Sequence, residues 1–133
     1  MAPRHARQLL LIASLDHLVL TVASIEATLA FYRKLGMEHV TFDGRHALRF
    51  GDQKINLHEA GNEFSPRARV ATPGAGDLCF LLAGTLDAAI AVLDREGIEI
   101  EEGPVARTGA RFALRSVYLR DPDGNLIELS ERT

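Results

Sequence analysis

The sequence predicts an α+β fold built from two β-α-β-β-β modules, and three observations carry that prediction. The chain repeats itself: Leu15-Asp16-His17-Leu18-Val19-Leu20 is echoed sixty positions later by Ala75-Gly76-Asp77-Leu78-Cys79-Phe80. Glu26 to Ala30 and Gly36-Met37-Glu38 recur as Asp87 to Ala91 and Gly97-Ile98-Glu99 at an offset of sixty-one. In each copy an alternating apolar pattern gives way to a helical one and then to short strands. The length of 133 residues suits one domain, large enough to bury roughly two-thirds of its unfolded surface.

The elements follow in order. Leu18, Leu20 and Val22 point to one side of a first strand, and His17, Val19 and Thr21 point to the other. Ser24 is a good N-cap, and Glu26 complements the helix N-terminus. Ile25, Thr28, Leu29, Tyr32 and Leu35 recur at helical spacing until Gly36 stops the helix. Three strands are expected near 37–42, 45–50 and 53–59, separated by Asp43-Gly44 and Gly51-Asp52 turns. The second copy predicts a strand at 76–82, a helix from a Thr85 cap through Leu86, Ile90 and Leu93, and a stop at Gly97. Further strands are expected near 98–102, 113–120 and 125–130, the last two joined by the turn Asp121-Pro122-Asp123-Gly124. Module one is thus 14–60, the aperiodic stretch 61–75 is a linker, and module two is 76–131, preceded by an N-terminal extension at 1–13.

Composition limits the function. The chain is 47% apolar and 25% charged with a formal charge of -3, so it lacks the basic footprint of a nucleic-acid binder. No segment approaches the ~18 apolar residues of a membrane span. Leu9 to Ala13 is short for a signal-peptide core, with no small-residue cleavage site after it. Lone Cys79 cannot form an internal disulfide, which fits a reducing compartment. A cytoplasmic location is expected.

A four-stranded sheet with one helix leaves one face uncovered. If Leu18, Ile55, Leu57, Leu78, Ile127 and Leu129 face the helices, then His17, Asn56, His58, Asp77, Cys79 and Glu128 lie on the open faces. Two imidazoles with one or two carboxylates on neighbouring strands form a donor set for a divalent metal with exchangeable positions. A lone strand histidine is more often structural, and an outward glutamate is usually just solvated. His5, His39 and His46 are set aside as ligands because they fall in the extension, at a strand start and near a turn. Cys79 has no basic sequence neighbour to activate it.

The duplicated module, His17 in Leu-Asp-His-Leu-Val-Leu, and Asp121-Pro122-Asp123-Gly124-Asn125-Leu126-Ile127-Glu128 together resemble the vicinal oxygen chelate superfamily over residues 14–131. That group includes glyoxalase I, extradiol dioxygenases, fosfomycin-resistance thiol transferases and bleomycin-binding proteins. Ala47 to Glu59 and Glu102 to Ala110 look like its short glyoxalase-domain-containing branch, which includes a bacterial virulence-associated protein. The resemblance implies eight strands curling into a partly closed, glyoxalase-like barrel, shared across a homodimer. It also implies metal donors at the positions of His17, Asn56, Asp77 and Glu128. Asn56 and Asp77 depart from the usual residue types there, and His58, on the same face as Asn56, is the stronger ligand by chemistry. The expected ligands are therefore His17, His58 and Glu128. Asp77 is left as a fourth ligand, a partner of one or a base, and Asn56 contacts substrate. The ion is Zn, Ni, Co, Mn or Fe.

Arg107, Thr108 and Arg111 fall in a polar loop where the second copy is longer, and their charge suits a carboxylate or phosphonate on the substrate. The activity implied is a glyoxalase I-like lyase or isomerase. The metal takes two vicinal oxygens of a small substrate while Glu128 or Asp77 moves the adjacent proton. Alternatives are an Fe(II) extradiol-type dioxygenase, a thiol transferase acting on an antibiotic, and a non-catalytic drug or metabolite binder.

Overall fold

A computed structural model describes residues 11–133; the rest of the expected extension, with His5, lies outside the described residues. The element order is β1 (His17–Val22), α1 (Ile25–Lys34), β2 (Glu38–Phe42), β3 (Arg45–Phe50), β4 (Gln53–Glu59), β5 (Asp77–Leu81), α2 (Leu86–Arg95), β6 (Glu102–Thr108), β7 (Ala113–Arg120) and β8 (Leu126–Arg132). Both helices start as their sequences dictate: the Ser24 and Thr85 hydroxyls accept from the backbone amides of Ala27 and Ala88. The β2–β3 hairpin turns on Asp43 and Gly44, both at positive φ (47° and 72°), which the Asp-Gly dipeptide tolerates.

Each module forms its own sheet, ordered β1-β4-β3-β2 and β5-β8-β7-β6. The first and last strands of each module pair in parallel, and the rest pair antiparallel. The two four-stranded sheets are not closed into a barrel within the described residues. The reason lies in the packing. Leu20, Val22, Ile55, Leu57, Val117, Leu119, Ile127 and Leu129 join Leu29, Tyr32, Leu86 and Leu93 in one core. The modules therefore share their helix-side apolar faces, and among the described residues their other faces are covered only in part. Val19 and Leu81 on those faces are 44% and 50% exposed.

The sixth strand begins later than expected, at Glu102 instead of residue 98. Ile98 and Ile100 pack against the core as connecting segment. Glu102–Thr108 forms an edge strand on which only Val105 is half-buried. An edge with so little apolar alternation carries almost no strand signal, although Pro104 near its start is compatible with one.

Between the modules lies a buried carboxylate. Asp121 accepts from the Tyr32 hydroxyl at 2.7 Å, from the amides of Asp123 and Asn125 at 2.9 Å each, and from the Asn125 side-chain amide at 2.8 Å. Burial, then the negative charge of Asp121, pushes the Tyr32 phenol far above its ordinary range, so it stays a donor. Asn125 in turn accepts from the Gly76 amide at 2.6 Å, a close approach that a side chain at Gly76 would obstruct. Tyr32→Phe is expected to cost about 2 kcal/mol in urea denaturation, since it removes a donor from a buried charge. A loss under about 0.5 kcal/mol would show that Asp121 is satisfied without it.

Candidate metal-donor pairs and substrate cavity

The strand registers fix which open-face residues meet. In β1–β4, His17 lies opposite Lys54, Val19 opposite Asn56, and Thr21 opposite His58. Asn56 is therefore the diagonal neighbour of His17. His58, two residues beyond Asn56, lies four residues along from the position opposite His17, about 13 Å at the rise of a parallel strand. In β5–β8, Asp77 lies opposite Leu126 and Cys79 opposite Glu128, so Asp77 and Glu128 stand in the same diagonal relation as His17 and Asn56. The repeat thus presents two equivalent donor pairs, one per open face.

The expected ligands His17, His58 and Glu128 are not brought together within the described residues: His17 and His58 share a face but stand four residues apart along it. Among the described residues no three His, Cys, Asp or Glu side chains come together at metal-binding distance.

The first pair nonetheless has the character of a ligand pair. The His17 Nδ1 lies 2.8 Å from the Asp16 carboxylate. A carboxylate only accepts, so Nδ1 carries the hydrogen and the Nε2 lone pair is left free, the arrangement that orients metal-binding histidines. The Asn56 Oδ1 is buried without a hydrogen-bond partner among the described residues, although a buried polar oxygen ordinarily has one. A free nitrogen and an orphaned oxygen on adjacent strands fit a divalent cation. Asp16 was missed by the sequence analysis; its position next to a strand histidine was the signal.

On the second face, Ser130, fully buried, donates to the Glu128 Oε2 at 3.2 Å and lies 2.7 Å from the buried Ser116 hydroxyl. These serines hold the carboxylate's direction, and their sequence context gave no hint of it. Glu128 also lines a cavity of about 540 Å³ with Cys79, Arg107, Thr108, Arg111 and Tyr118. The structure therefore brings the expected substrate contacts Arg107, Thr108 and Arg111 to Glu128, while Asn56 lies on the other sheet. Arg107 and Thr108 belong to strand β6, not to a loop. Arg107 donates to the Tyr118 hydroxyl at 2.9 Å and to Glu102 at 2.8 Å, which fixes its guanidinium, whereas Arg111 stacks on Phe112. His17 and Cys79 line a further cavity of about 290 Å³. Asp77 is exposed at the start of β5. His39 and His46 stack on each other on the helix side of the first sheet, 2.9 Å apart between ring nitrogens.

Burial pushes the Cys79 thiol up; the Ser130 hydrogen bond opposes this, while Glu128 and Asp77 add to it. Cys79 is thus a protonated wall of the cavity at neutral pH. Alkylation of Cys79 by iodoacetamide at pH 7 should run slower than that of a free cysteine and accelerate only above the ordinary thiol range. Glu128→Gln, by removing one of the raising charges, should speed it. A wild-type rate matching that of a free thiol would contradict this environment.

Two parallel-edged β-α-β-β-β units with matching open-face donors define a class, and residues 14–129 match the model of the Glyoxalase/Bleomycin resistance protein/Dioxygenase superfamily. The chain belongs to that superfamily. It is 52% identical over 128 residues to glyoxalase domain-containing protein RDO1 of Mycosarcoma maydis, covering 96% of this chain and 72% of that one. It is 50% identical to virulence protein STM3117 of Salmonella typhimurium over 124 residues, covering 92% and 86%. The crystal structure of STM3117 superposes with a TM-score of 0.90, covering 92% of this chain and 99% of that one. Lactoylglutathione lyase from Agrobacterium tumefaciens shares the fold with a TM-score of 0.69 at 24% identity, covering 91% and 95%.

Proposed function

We propose that the protein is a homodimeric, metal-dependent enzyme of the glyoxalase I type, acting on a small substrate with two vicinal oxygens. The observation that carries this reading is the pair of equivalent diagonals, His17/Asn56 and Asp77/Glu128, each incomplete as a metal site alone. When the open face of one module meets that of a second chain's opposite module, the two pairs supply donors from four strands. The exposed Val19 and Leu81 are then covered. A symmetric pairing is the usual solution for such a surface. The glyoxalase-type names of the relative RDO1 and of the fold neighbour lactoylglutathione lyase support the reaction class.

In this reading His17 and Glu128 are the principal ligands, with Asn56 and Asp77 completing the set or contacting substrate. These residues would hold a divalent ion of the Zn, Ni, Co, Mn or Fe group, which would supply Lewis-acid polarisation of the substrate's vicinal oxygens. The chain's own groups do the rest. Arg107, held by Tyr118 and Glu102, and Arg111 draw an anionic substrate group into the cavity, with the Thr108 hydroxyl beside them. A carboxylate, Glu128 or Asp77, takes the proton next to the carbonyl and returns it to the neighbouring carbon. Ser130 and Ser116 keep the Glu128 oxygen aimed during the transfer, and Cys79 stays out of the chemistry as a neutral thiol.

Elemental analysis of purified protein should find about one divalent ion per chain. His17→Ala and Glu128→Ala should lose it, and His58→Ala should keep it. Retention in both of the first two variants would dismiss the assignment, and loss in His58→Ala would restore the imidazole pair. Assays with each metal against hemithioacetals, catechols, and fosfomycin plus thiol test the activity. Turnover of a hemithioacetal that chelation abolishes is the expected result; catechol cleavage would favour a dioxygenase, and turnover of none a binding protein.

Leu81→Glu should convert the dimer to a monomer by light scattering while leaving the thermal midpoint of each chain nearly unchanged. A wild-type mass for this variant would place the interface elsewhere.

A further inference from the structure

Three nitrogen-bearing side chains lie in series on the helix side of the first sheet, the face opposite the donor pairs. Arg33, in the last turn of α1, places its Nη2 2.8 Å from the His39 Nδ1. The His39 Nε2 in turn lies 2.9 Å from the His46 Nδ1. The two rings are half-buried and stacked, with centroids 5.1 Å apart and an angle of 24° between their planes. His39 belongs to β2 and His46 to β3, and the hairpin register makes them diagonal neighbours. Helix and hairpin are thus tied by two contacts in sequence.

Chemistry allows one arrangement of hydrogens along this series. A guanidinium donates and never accepts, so the His39 Nδ1 bears a lone pair and the ring's hydrogen sits on Nε2. That hydrogen fills the second gap, so the His46 Nδ1 is also a lone pair and its hydrogen is on the outward Nε2. Both rings are neutral. A proton added to either ring gives the pair a third hydrogen, and the outward nitrogen already holds one. One of the two gaps must then hold hydrogens from both sides, and attraction turns to repulsion. No carboxylate among the described residues touches the rings to offset that charge. Glu26 and Lys34 of α1 and Asp43 of the hairpin turn make no hydrogen bond or ion pair with either ring. Glu59 of β4, on the same face, accepts from the Asn62 side chain. Glu38, Arg45, Arg49 and Lys54 point to the other face. Burial first, then the charges of Arg33 and His46, holds the His39 ring below the ordinary histidine range.

We propose that Arg33, His39 and His46 form a pH-sensitive latch, closed while both rings are neutral and opened by one proton, which releases the last turn of α1 from the β2–β3 hairpin. The release falls at a sensitive place. Arg33 follows Tyr32, whose hydroxyl donates to Asp121 at the junction of the modules. The same turn is closed by the amides of Leu35 and Met37 on the Tyr32 carbonyl and by that of Gly36 on the Arg33 carbonyl. His39 takes its proton less readily closed than open. Opening therefore grows as the pH falls through the ordinary histidine range, and it levels off once the closed ring is charged as well. The latch rests on neither the metal nor the dimer reading, because none of its side chains belongs to a donor pair or an open face.

Two measurements on the full chain test the latch. Long-range proton–nitrogen NMR of the imidazoles at neutral pH should find both rings as the Nε2–H tautomer, and a His39 ring protonated on Nδ1 overturns the proposal. Hydrogen exchange of the Leu35, Gly36 and Met37 amides, corrected for the intrinsic pH dependence of exchange, reads the opening. Opening should become up to about ten-fold more frequent for each unit below about pH 6.5, the effect of one proton taken up on release. The Val117 and Leu119 amides of β7 should show no such slope. His39→Gln combined with His46→Gln keeps an acceptor for Arg33 and a donor and acceptor in the second gap, but neither amide can be charged. This double variant should lose the slope. Arg33→Met, which removes the first donor, should already open about five-fold more often at neutral pH. A wild type without the slope, a slope that persists in the double variant, an equal slope in β7, or unchanged opening in Arg33→Met overturns the latch.

Discussion

The Asp121 carboxylate, buried at the junction of the modules, accepts four hydrogen bonds from α1 and from its own turn. A buried charge is costly unless every lone pair is occupied, so its donors cannot drift independently. Tyr32 anchors the first helix to it, and Asn125 carries the constraint on to Gly76 at the entrance of β5. Asp123 of the same turn accepts from the Ala23 amide at the end of β1. One turn thus sets the placement of β1, α1, β5 and β8. His17, Asp77, Glu128 and, through the pairing of β1 with β4, Asn56 all depend on those elements. The donor positions are related to each other because this polar knot relates the strands that bear them.

That constraint also bears on where the donor pairs lie. The apolar sides of both sheets are consumed by the helices and by each other in one core, so among the described residues the opposite faces are covered only in part, the linker at 66–71 lying over the His58 end of the first. The two cavities on those faces differ in kind. The one beside Glu128 is walled by a fixed arginine, a tyrosine and a protonated thiol, which suits orientation of a reacting group. The one beside His58 is lined by Val19, Pro66, Ala68 and Ala71, with Arg67 of the linker beside them.

Much of this was legible in the sequence. The sixty-residue repeat gave the paired modules, and the Ser24 and Thr85 caps and the Asp43-Gly44 turn fell where their chemistry requires. Alternation alone put His17, Asn56, His58, Asp77 and Glu128 on open faces. Alternation carries no register, however, and register separates Asn56 from His58 as the companion of His17: the two share a face, and a two-residue step moves a side chain by about 7 Å. Strand β6 escaped because an exposed edge need not alternate. A count of strands does not say which of a module's faces its neighbour will cover, so it leaves closure within one chain or across two undecided. Asp16 and the Ser116–Ser130 pair could be recognised only once the groups they orient had positions.

In the proposed enzyme the reacting site is assembled from the first module of one chain and the second module of another. The most direct measurement is the metal content of a mixed dimer, purified by two different tags, that pairs His17→Ala with Glu128→Ala. Assembly across chains places both lesions in one site and leaves the other site whole, so the mixed dimer should bind a single ion although each variant alone binds none. A mixed dimer as empty as its parents would mean that each chain builds its site from its own two modules.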